Sequence, residues 1–288
     1  MRKRQLSLTH LIIFLCLSVF AFSTHSTANQ KDGLLKIYFL DIGQGDSILI
    51  ETPSGRQILV DGGPDNKVLE KLGQHVPFYD HDIDVVLVSH PHADHITGLI
   101  DVLDRYEVKA IVQAKEIYDS PQYRAWEDAI SKEGAHDVEA IAGKVIDFGD
   151  GVTLTLLHPF ESVAGTKTKT PHNDVVVAMI EYGSFRVLLT GDMESRVENK
   201  LEAVGADLRA DVLKVGHHGS KTSTSDEFLN SVKPQIGFIE VGKDNMYHLP
   251  APDILQRLEN FGIKYYRTDV DGDTELISDG ENYQIIEN

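Results

Sequence analysis

One short segment constrains this chain more than any other, because it places four potential metal ligands directly after a buried strand. Residues 89–98 read Ser-His-Pro-His-Ala-Asp-His-Ile-Thr-Gly, and they follow the apolar run 85–88. An apolar run before such a segment, with a helix-permissive stretch after it, indicates a buried strand, a tight loop and a helix start. His90 and His92 are two residues apart, so at a strand end their side chains point the same way.

The chemistry of this segment favours a metal site. Neutral imidazoles and carboxylates are ligands that zinc accepts, at roughly 2.0–2.2 Å. His90 and His92 form one candidate group, while Asp94 and His95 come after the turn and can face a second point nearby. Two such groups side by side would hold two metal ions roughly 3.5–4 Å apart. The alternative is a polar loop that is rich in histidine by chance, and it explains neither the spacing nor the placement after a strand.

These residues match the H-x-H-x-D-H signature of the metallo-β-lactamase superfamily, which the chain resembles over nearly all of its length after the N-terminal segment. Within that superfamily, the chain resembles the metal-dependent, nuclease-like domain of ComEC-type DNA-uptake proteins and their stand-alone relatives. Five further segments occur in the same order in that branch. They are residues 39–47 (Phe-Leu-Asp-Ile-Gly-Gln-Gly-Asp-Ser), 60–63 (Val-Asp-Gly-Gly), 190–192 (Thr-Gly-Asp), 216–221 (Gly-His-His-Gly-Ser-Lys) and 267–269 (Arg-Thr-Asp).

The order of the predicted elements suits the fold of that superfamily. Strands come in two batches, and each batch is followed by an alternation of strands and helices. This order favours an α/β fold with two mixed sheets packed face to face and helices outside, the αβ/βα four-layer sandwich of the metallo-β-lactamase superfamily. We expect one such domain over residues 29–288.

Two local signals stand out within this domain. Ser120 and Pro121 predict the start of a helix, and Gly134 predicts its end. Residues 161–170 are polar, include Lys167 and Lys169, and predict a mobile surface loop.

Strand ends supply the remaining candidate metal ligands. The resemblance places Asp192 as the carboxylate that bridges the two ions, whereas a lone aspartate after a strand is usually a helix N-cap. His217 and His218 are adjacent and point in different directions, so we expect one to bind metal and the other to contact substrate or support a ligand. His172 lies near a further histidine of the superfamily, although the ComEC-type branch often lacks one there. His158 is a rival ligand.

Two further aspartates are expected to support the ligands. The resemblance implies that Asp61 sits behind the metals and orients their ligands, and a simple strand-end turn is the alternative. Asp46, within residues 39–47, has the same expected role. Asp94 or Asp192 would handle the proton during the reaction.

A polar stretch beside the second histidine pair is the candidate substrate contact. Its hydroxyls and ammonium groups can hold a phosphate, and a solvated loop is the alternative. The residues are Lys214, Ser220, Lys221 and Thr222. His248 is a further candidate, although residues 245–250 shift this histidine by one place from the Asn-x-Tyr-Gly-His-Pro pattern of the branch.

The resulting hypothesis is a dinuclear metal-dependent hydrolase in which two metals lower the pKa of a bridging water. Ligation rich in histidine favours zinc, and the carboxylates also admit manganese. The resemblance implies a phosphodiester substrate, most simply DNA or another nucleic acid. The formal net charge of −18 contrasts with the basic patch that is usual in nucleic-acid binders, so a small phosphodiester stays open. The alternatives are a hydrolase of lactams or lactones and a secreted metal-binding protein without activity.

The N-terminal residues 1–28 predict a secretory signal. Arg2, Lys3 and Arg4 precede the apolar residues 11–22, and Ser-Thr-Ala at 26–28 offers a cleavage site. The protein is therefore expected to be secreted or periplasmic, without stable membrane insertion after cleavage and without an obligate protein partner. An uncleaved membrane anchor is the alternative, but the apolar part is short against the roughly 20 residues that a membrane span needs.

Overall fold

A computed structural model of the chain describes residues 33–287, in which the strands form two sheets. The strands are β1 (Leu35–Phe39), β2 (Ile48–Glu51), β3 (Gln57–Val60), β4 (Asp82–Leu87), β5 (Glu107–Gln113), β6 (His136–Glu139), β7 (Val145–Asp147), β8 (Val152–His158), β9 (Val177–Tyr182), β10 (Phe185–Leu189), β11 (Val212–Lys214), β12 (Ile236–Ile239), β13 (Lys264–Arg267), β14 (Thr274–Ser278) and β15 (Tyr283–Glu287). The helices are α1 (Lys67–His75), α2 (Ala93–Arg105), α3 (Pro121–Glu133), α4 (Ser195–Ala203), α5 (Asp226–Val232), α6 (Pro252–Asn260) and α7 (Thr268–Asp271). Short 3-10 turns lie at Pro171–Asn173 and Gly216–Gly219.

Both sheets are mixed. The first has the strand order β15-β14-β1-β2-β3-β4-β5-β6, and the second has the order β13-β12-β11-β10-β9-β8-β7. Strands β3 to β6 run parallel, and so do strands β10 to β13. Parallel neighbours need a crossover connection, and here each crossover is a helix. Helices α1 to α3 serve the first sheet and α4 to α6 serve the second.

Three buried apolar clusters define the layers. The middle cluster joins the inner faces of the two sheets, where the rings of Phe39 and Phe238 stack with their centroids 3.8 Å apart. A second cluster lies between the first sheet and its helices, around the fully buried Trp126 of α3. A third lies between the second sheet and its helices, around Phe228 of α5. The predicted α/β four-layer sandwich is therefore confirmed.

The parallel strands determine where polar side chains gather. Their carboxyl ends lie at the same edge of the sandwich, as the strand directions require. Asp61 follows β3 and Ser89 follows β4, while Asp192 follows β10 in the other sheet. Gly216–Gly219 follows β11 in the same way. This edge is where the predicted metal ligands come together.

Local sequence signals predicted the bounds of one helix correctly, but they did not predict the backbone pairing of the loop at residues 161–170. The Ser120 Oγ accepts a hydrogen bond from the Tyr123 N–H at 3.0 Å, and Gly134 ends α3 with φ = 77°, as predicted. Residues 161–170 are mostly exposed, as predicted for a surface loop, and backbone hydrogen bonds connect them to the chain after β5. The Ile117 N–H donates to the Thr166 carbonyl at 2.8 Å, and the Thr168 N–H donates to the Ile117 carbonyl at 3.0 Å.

The predicted secretory signal at residues 1–28 lies outside the described residues. Across residues 33–287, none of the helices is both long enough and apolar enough to span a membrane.

Candidate metal centre

Three histidine side chains converge at the end of β4. The His90 Nε2 lies 2.9 Å from the His92 Nδ1, and the His172 Nε2 lies 3.1 Å from the same His92 atom. His172 comes from the 3-10 turn that precedes β9, so the second half of the chain contributes to this group. With Asp192, these residues form a set of four potential ligand atoms within 4.8 Å of one another.

A second group lies beside the first. It contains Asp94, His95 and His218, whose potential ligand atoms also lie within 4.8 Å of one another. The His218 Nε2 is 3.4 Å from an Asp94 carboxylate oxygen, and the His95 Nε2 is 3.9 Å from the same oxygen. The structure thus places His218, rather than His217, in this group.

Asp192 lies between the two groups. Its Oδ2 is 3.7 Å from the His90 Nε2 and 3.5 Å from the His95 Nε2. Its Oδ1 is 3.5 Å from the His218 Nε2. Asp192 therefore lies near imidazoles of both groups, with Oδ2 close to each group and Oδ1 close to the second, which is a position that suits a bridging carboxylate.

Unpartnered polar atoms show that these residues fit a bound cation. The Nε2 atoms of His95 and His218 and the Oδ1 of Asp192 are buried, and none has a hydrogen-bond partner within residues 33–287. A buried polar atom without a partner costs about 1–3 kcal/mol. Three such atoms directed at one point are explained by a cation that accepts their lone pairs.

The pKa values of these groups also suit a cation site. Burial lowers the pKa of His90 well below its ordinary value and that of His92 to about 4, so both imidazoles are neutral ligands at pH 7. Burial by itself would raise the pKa of Asp192, but the nearby His218 and His95 hold it well below its ordinary value. Burial would likewise lower the pKa of His218, but Asp192 and Asp46 raise it to about 10. Carboxylates that attract a proton this strongly also attract a metal cation.

Asp61 and Ser89 orient the histidines from behind. The Asp61 Oδ2 accepts a hydrogen bond from the His95 Nδ1 at 2.8 Å and another from the Ser89 Oγ at 2.5 Å. Since the Ser89 hydroxyl proton is used in this way, its oxygen accepts from the His90 Nδ1 at 3.0 Å. Both imidazoles are therefore protonated on Nδ1 and present Nε2 to the centre. Setting the tautomer and direction of an imidazole in this way is the usual role of groups such as Asp61 and Ser89 behind a metal site.

A buried ionic network supports His218 in a similar way. The His218 Nδ1 donates to the Glu240 backbone carbonyl at 2.8 Å and lies 3.2 Å from an Asp46 carboxylate oxygen. The other Asp46 oxygen lies 2.7 Å from the Lys214 Nζ. Asp46, Lys214 and Glu240 are each at most 2% exposed. Lys214 is therefore buried behind the centre and does not reach a substrate phosphate, contrary to the expectation from its position beside the second histidine pair.

The backbone is strained where it delivers these groups. Asp61 has φ = 55°, His217 has φ = 49° and His218 has φ = 53°, which is the left-handed region that side chains other than glycine rarely adopt. Such strain persists only where the surrounding structure enforces it, and it clusters at functional sites.

The other predicted site residues lie at or beyond the rim. The His217 Nδ1 is 3.3 Å from the Thr222 Oγ1 and 3.4 Å from the Glu194 Oε1, so Thr222 orients His217. The Ser220 Oγ lies 3.0 Å from the same Thr222 atom. Lys221 and His248 are exposed. His158 stays apart from the centre, since its Nδ1 donates to the Val175 carbonyl at 2.7 Å.

An open cleft of about 410 Å³ gives access to the centre. It is lined by Gln44, His92, Ala93, Asp94, Tyr118, Ser120, Gln122, His172, Asp192, His217, His218, Tyr247 and Leu249. The sequence patterns did not predict the amide and tyrosine side chains of this wall. They did not predict Glu194 either, whose carboxylate lies 3.5 Å from His172 and 3.4 Å from His217. Glu194 follows Asp192 by two residues, and that spacing was the available signal.

Comparison with known proteins matches residues 40–239 to the metallo-beta-lactamase superfamily. "ComE operon protein 3" of Bacillus subtilis is 33% identical over 254 residues, which cover 82% of this chain and 32% of that protein. "Recombination protein 2" of Haemophilus influenzae is 28% identical over 271 residues, which cover 92% of this chain and 31% of that protein. The chain therefore spans about a third of the length of these relatives.

Solved structures share the fold at low sequence identity. Zn(2+)-bound PqqB from Methylobacterium extorquens has a TM-score of 0.51 at 15% identity, covering 78% of this chain and 85% of that one. A putative metal-dependent hydrolase from Parabacteroides distasonis has a TM-score of 0.50 at 16% identity, covering 82% and 93%. With the matched residues spanning most of both sheets, the chain belongs to the metallo-β-lactamase superfamily, whose members are generally metal-dependent hydrolases, and its named relatives support a place in the ComEC-type branch.

Proposed function

We propose that this protein is a dinuclear metal-dependent phosphodiesterase that acts on nucleic acid or another phosphodiester. The observation that carries the proposal is the pair of ligand groups joined by Asp192 at the floor of an open cleft. Two-metal centres of this kind suit displacement at phosphorus, because both the attacking and the leaving oxygen carry developing negative charge.

Each ion would have its own set of protein ligands. His90, His92 and His172 would hold one, Asp94, His95 and His218 would hold the other, and Asp192 would serve both. Bound metals would supply Lewis-acid activation of water and of the phosphoryl oxygens. The histidine-rich set favours zinc, and manganese is the alternative.

Among the carboxylates of the centre, Asp94 is the better candidate for handling a proton. Burial opposes ionisation of Asp94, but His95 and His218 hold its pKa at about 2, so it is ionised at pH 7. Its side chain is 32% exposed, lines the cleft and can meet both water and substrate. Asp192 is only 3% exposed and its oxygens are surrounded by imidazoles, which suits a bridging ligand better than a proton carrier.

His217 has the position of a substrate contact. Its side chain is 23% exposed at the cleft wall, and Thr222 and Glu194 hold its Nδ1 side. Its Nε2, 3.7 Å from Asp192, is directed towards the centre. Because the Nδ1 faces these acceptors, the Nε2 carries the lone pair of the neutral ring. We infer that His217 contacts the substrate by accepting a hydrogen bond at Nε2 from a substrate hydroxyl or a bound water.

The choice of a phosphodiester rests on the relatives. They include "Recombination protein 2" and "Competence protein ComA", whose names favour a polynucleotide substrate over a lactam or a lactone. The secretory signal predicted at residues 1–28 favours action outside the cytoplasm. We expect the protein to act on its substrate there without an obligate protein partner.

The test is hydrolysis by the full chain supplied with zinc or manganese. Single-stranded DNA and bis-p-nitrophenyl phosphate are offered in parallel, and we expect cleavage of both. His92 is the histidine that lies close to both His90 and His172 in the first group. His92→Ala removes it, so kcat/KM is expected to fall at least about 100-fold.

His136→Ala is the matched control, because His136 is an exposed histidine on β6 outside the ligand groups. It should retain wild-type rates on both substrates. If the metal-loaded protein cleaves neither phosphodiester, the proposal is wrong, and hydrolysis of a lactam or lactone becomes the function to assay.

A further inference from the structure

A second cavity of about 410 Å³ lies beside the cleft and meets it at Tyr118, which lines both. The Tyr118 ring contacts His92 edge-on, with centroids 5.3 Å apart, so this residue separates the metal ligands from the second cavity. The side chains that matter in the second cavity are Tyr118, Asp119, Tyr123, Arg124, Lys167 and Lys169. We call it the lysine cavity.

The lysine cavity is positively charged in an acidic protein. Its lining has three cationic side chains and one carboxylate, whereas the whole chain has a formal net charge of −18. Arg124 pairs with Asp119 at 2.6 Å, so these two charges offset each other. Lys167 and Lys169 are exposed, and neither forms an ion pair with any residue in the range 33–287. Two lysines without an ion-pair partner among the described residues therefore line one cavity.

The backbone holds these lysines in place. Ile117 and Lys167 form a parallel bridge, and the Gly165 N–H donates to the Lys115 carbonyl at 3.0 Å. The segment that carries Lys167 and Lys169 is therefore held in a defined register against residues 115–117, which precede Tyr118. Because the backbone of this segment is already ordered, binding a ligand costs the ordering of the two side chains but little ordering of the loop.

The cleft itself offers no such charge. Within the described part of the chain, its lining includes neither lysine nor arginine. A bound metal would neutralise the phosphate that is cleaved, but a polynucleotide carries further phosphates on either side of it. Those phosphates need cations elsewhere, and the lysine cavity provides them next to the cleft.

We propose that the lysine cavity binds a backbone phosphate of a single-stranded polynucleotide whose neighbouring phosphodiester lies in the cleft. The inference rests on the proposed phosphodiesterase function and narrows its substrate from any phosphodiester to a strand. Tyr118, between the two cavities, stacks on the intervening base. Stacking of this kind needs an unpaired base and tolerates any sequence.

The test compares Lys167→Ala/Lys169→Ala with the control Lys132→Ala/Lys233→Ala in the full chain. The control removes the same charge from exposed lysines at the end of α3 and after α5. The substrates are a single-stranded oligothymidylate of about 12 nucleotides, long enough for one binding groove, and bis-p-nitrophenyl phosphate.

For the lysine-cavity variant, we expect the ratio of kcat/KM on the oligonucleotide to kcat/KM on the small ester to fall about tenfold. This is the loss expected for two exposed charge contacts. The slope of log kcat/KM against log salt should also become shallower by about 0.7, since the cavity binds one phosphate and each phosphate contact on a single strand contributes about 0.7. A ratio and a slope equal to those of the control would overturn the inference.

A binding measurement separates this inference from the proposed function. Fluorescence anisotropy of the labelled oligonucleotide, recorded in chelator, needs no catalysis. Weaker binding by the lysine-cavity variant than by the control supports the cavity even if no substrate is cleaved. If the wild-type protein cleaves the small ester but does not bind the oligonucleotide, the proposed role of the lysine cavity is wrong. The proposed phosphodiesterase function would then still hold.

Discussion

Lys214 shows how a single buried charge can organise a metal centre without touching it. Burial by itself would lower the pKa of Lys214, but the carboxylates of Asp46 and Glu240 raise it above its ordinary value. The ammonium therefore stays charged and holds Asp46, 2.7 Å away, in contact with the back of His218. The orientation of a candidate ligand thus depends on a lysine in the protein interior.

Lys214→Met is expected to lower the free energy of unfolding by about 3 kcal/mol, the low end for breaking a buried ion pair. The buried Asp46 loses its nearest cation, 2.7 Å away, and keeps His218 at 3.2 Å. Urea denaturation of the wild-type and variant proteins in chelator measures this difference without a contribution from metal. The matched control is Lys109→Met, since Lys109 is 48% exposed and pairs with Asp84 at the surface. Loss of that pair should cost at most about 1 kcal/mol. Equal costs for the two variants would contradict the role assigned to Lys214.

Residue-level prediction from sequence reached the candidate ligands, the nearby ones by spacing and the distant ones by the resemblance, but it misplaced the lysine buried behind them. The candidate ligands His90, His92, Asp94 and His95 could be proposed because a strand followed by a loop restricts their directions through spacing alone. Lys214 was assigned to substrate because its neighbours in sequence lie at the centre, yet its partner Asp46 comes from the opposite end of the chain. Such a pairing depends on the tertiary fold and leaves no local pattern.

At the scale of elements, the turn at residues 43–45 carries a steric constraint on the metal loop. A Cβ added to Gly45 would lie 2.0 Å from the Asp94 backbone carbonyl, and Gly45 has φ = 135°. The turn therefore packs directly on the first residues of α2, where Asp94 is presented. No side chain fits between these two elements.

Gly45→Ala is expected to shift Asp94 and to weaken metal binding by about 10- to 100-fold, the loss typical of a displaced ligand support. Metal affinity is measured by competition with a chromophoric chelator. Gly43→Ala is the control, because Gly43 also has positive φ but nothing lies within 4 Å of its added Cβ. The Gly43→Ala variant should lose only about 1 kcal/mol of folding stability, from the unfavourable backbone conformation, and should keep its metal affinity. Equal metal affinity in both variants would show that this contact does not position Asp94.

The helix with clear local start and stop signals was predicted within a residue, and most strands followed from their apolar runs, whereas one short and partly exposed strand was missed. The bounds of α3 followed from Ser120, Pro121 and Gly134, because caps act within one helical turn. Strand β6 went unpredicted, since two of its four side chains are exposed and only pairing with β5 defines it. Residues 161–170 are connected to the chain after β5 by backbone hydrogen bonds, and this pairing likewise has no local sequence signal.

At the scale of the whole molecule, the centre joins the two halves of the sandwich. His90, His92, Asp94 and His95 follow β4 of the first sheet, whereas Asp192 and His218 follow β10 and β11 of the second. The carboxylates and imidazoles therefore meet across the edge where the two sheets converge. A cation bound by both sets connects them in the folded state and loses most of that ligation when the chain unfolds.

Metal should accordingly stabilise the folded protein as a whole. With free zinc at about 100 times its dissociation constant, one site adds about 2.7 kcal/mol to the free energy of unfolding, and chelation removes this increment. Urea denaturation with zinc and with chelator measures the increment as a shift of the midpoint, whereas the slope against urea should stay the same because the buried surface does not change. His92→Ala should reduce the shift, and His136→Ala should retain it in full. A midpoint that is the same with zinc and with chelator would mean that these side chains do not bind metal across the two sheets, although their unpartnered atoms and their carboxylate-rich surroundings favour a cation there.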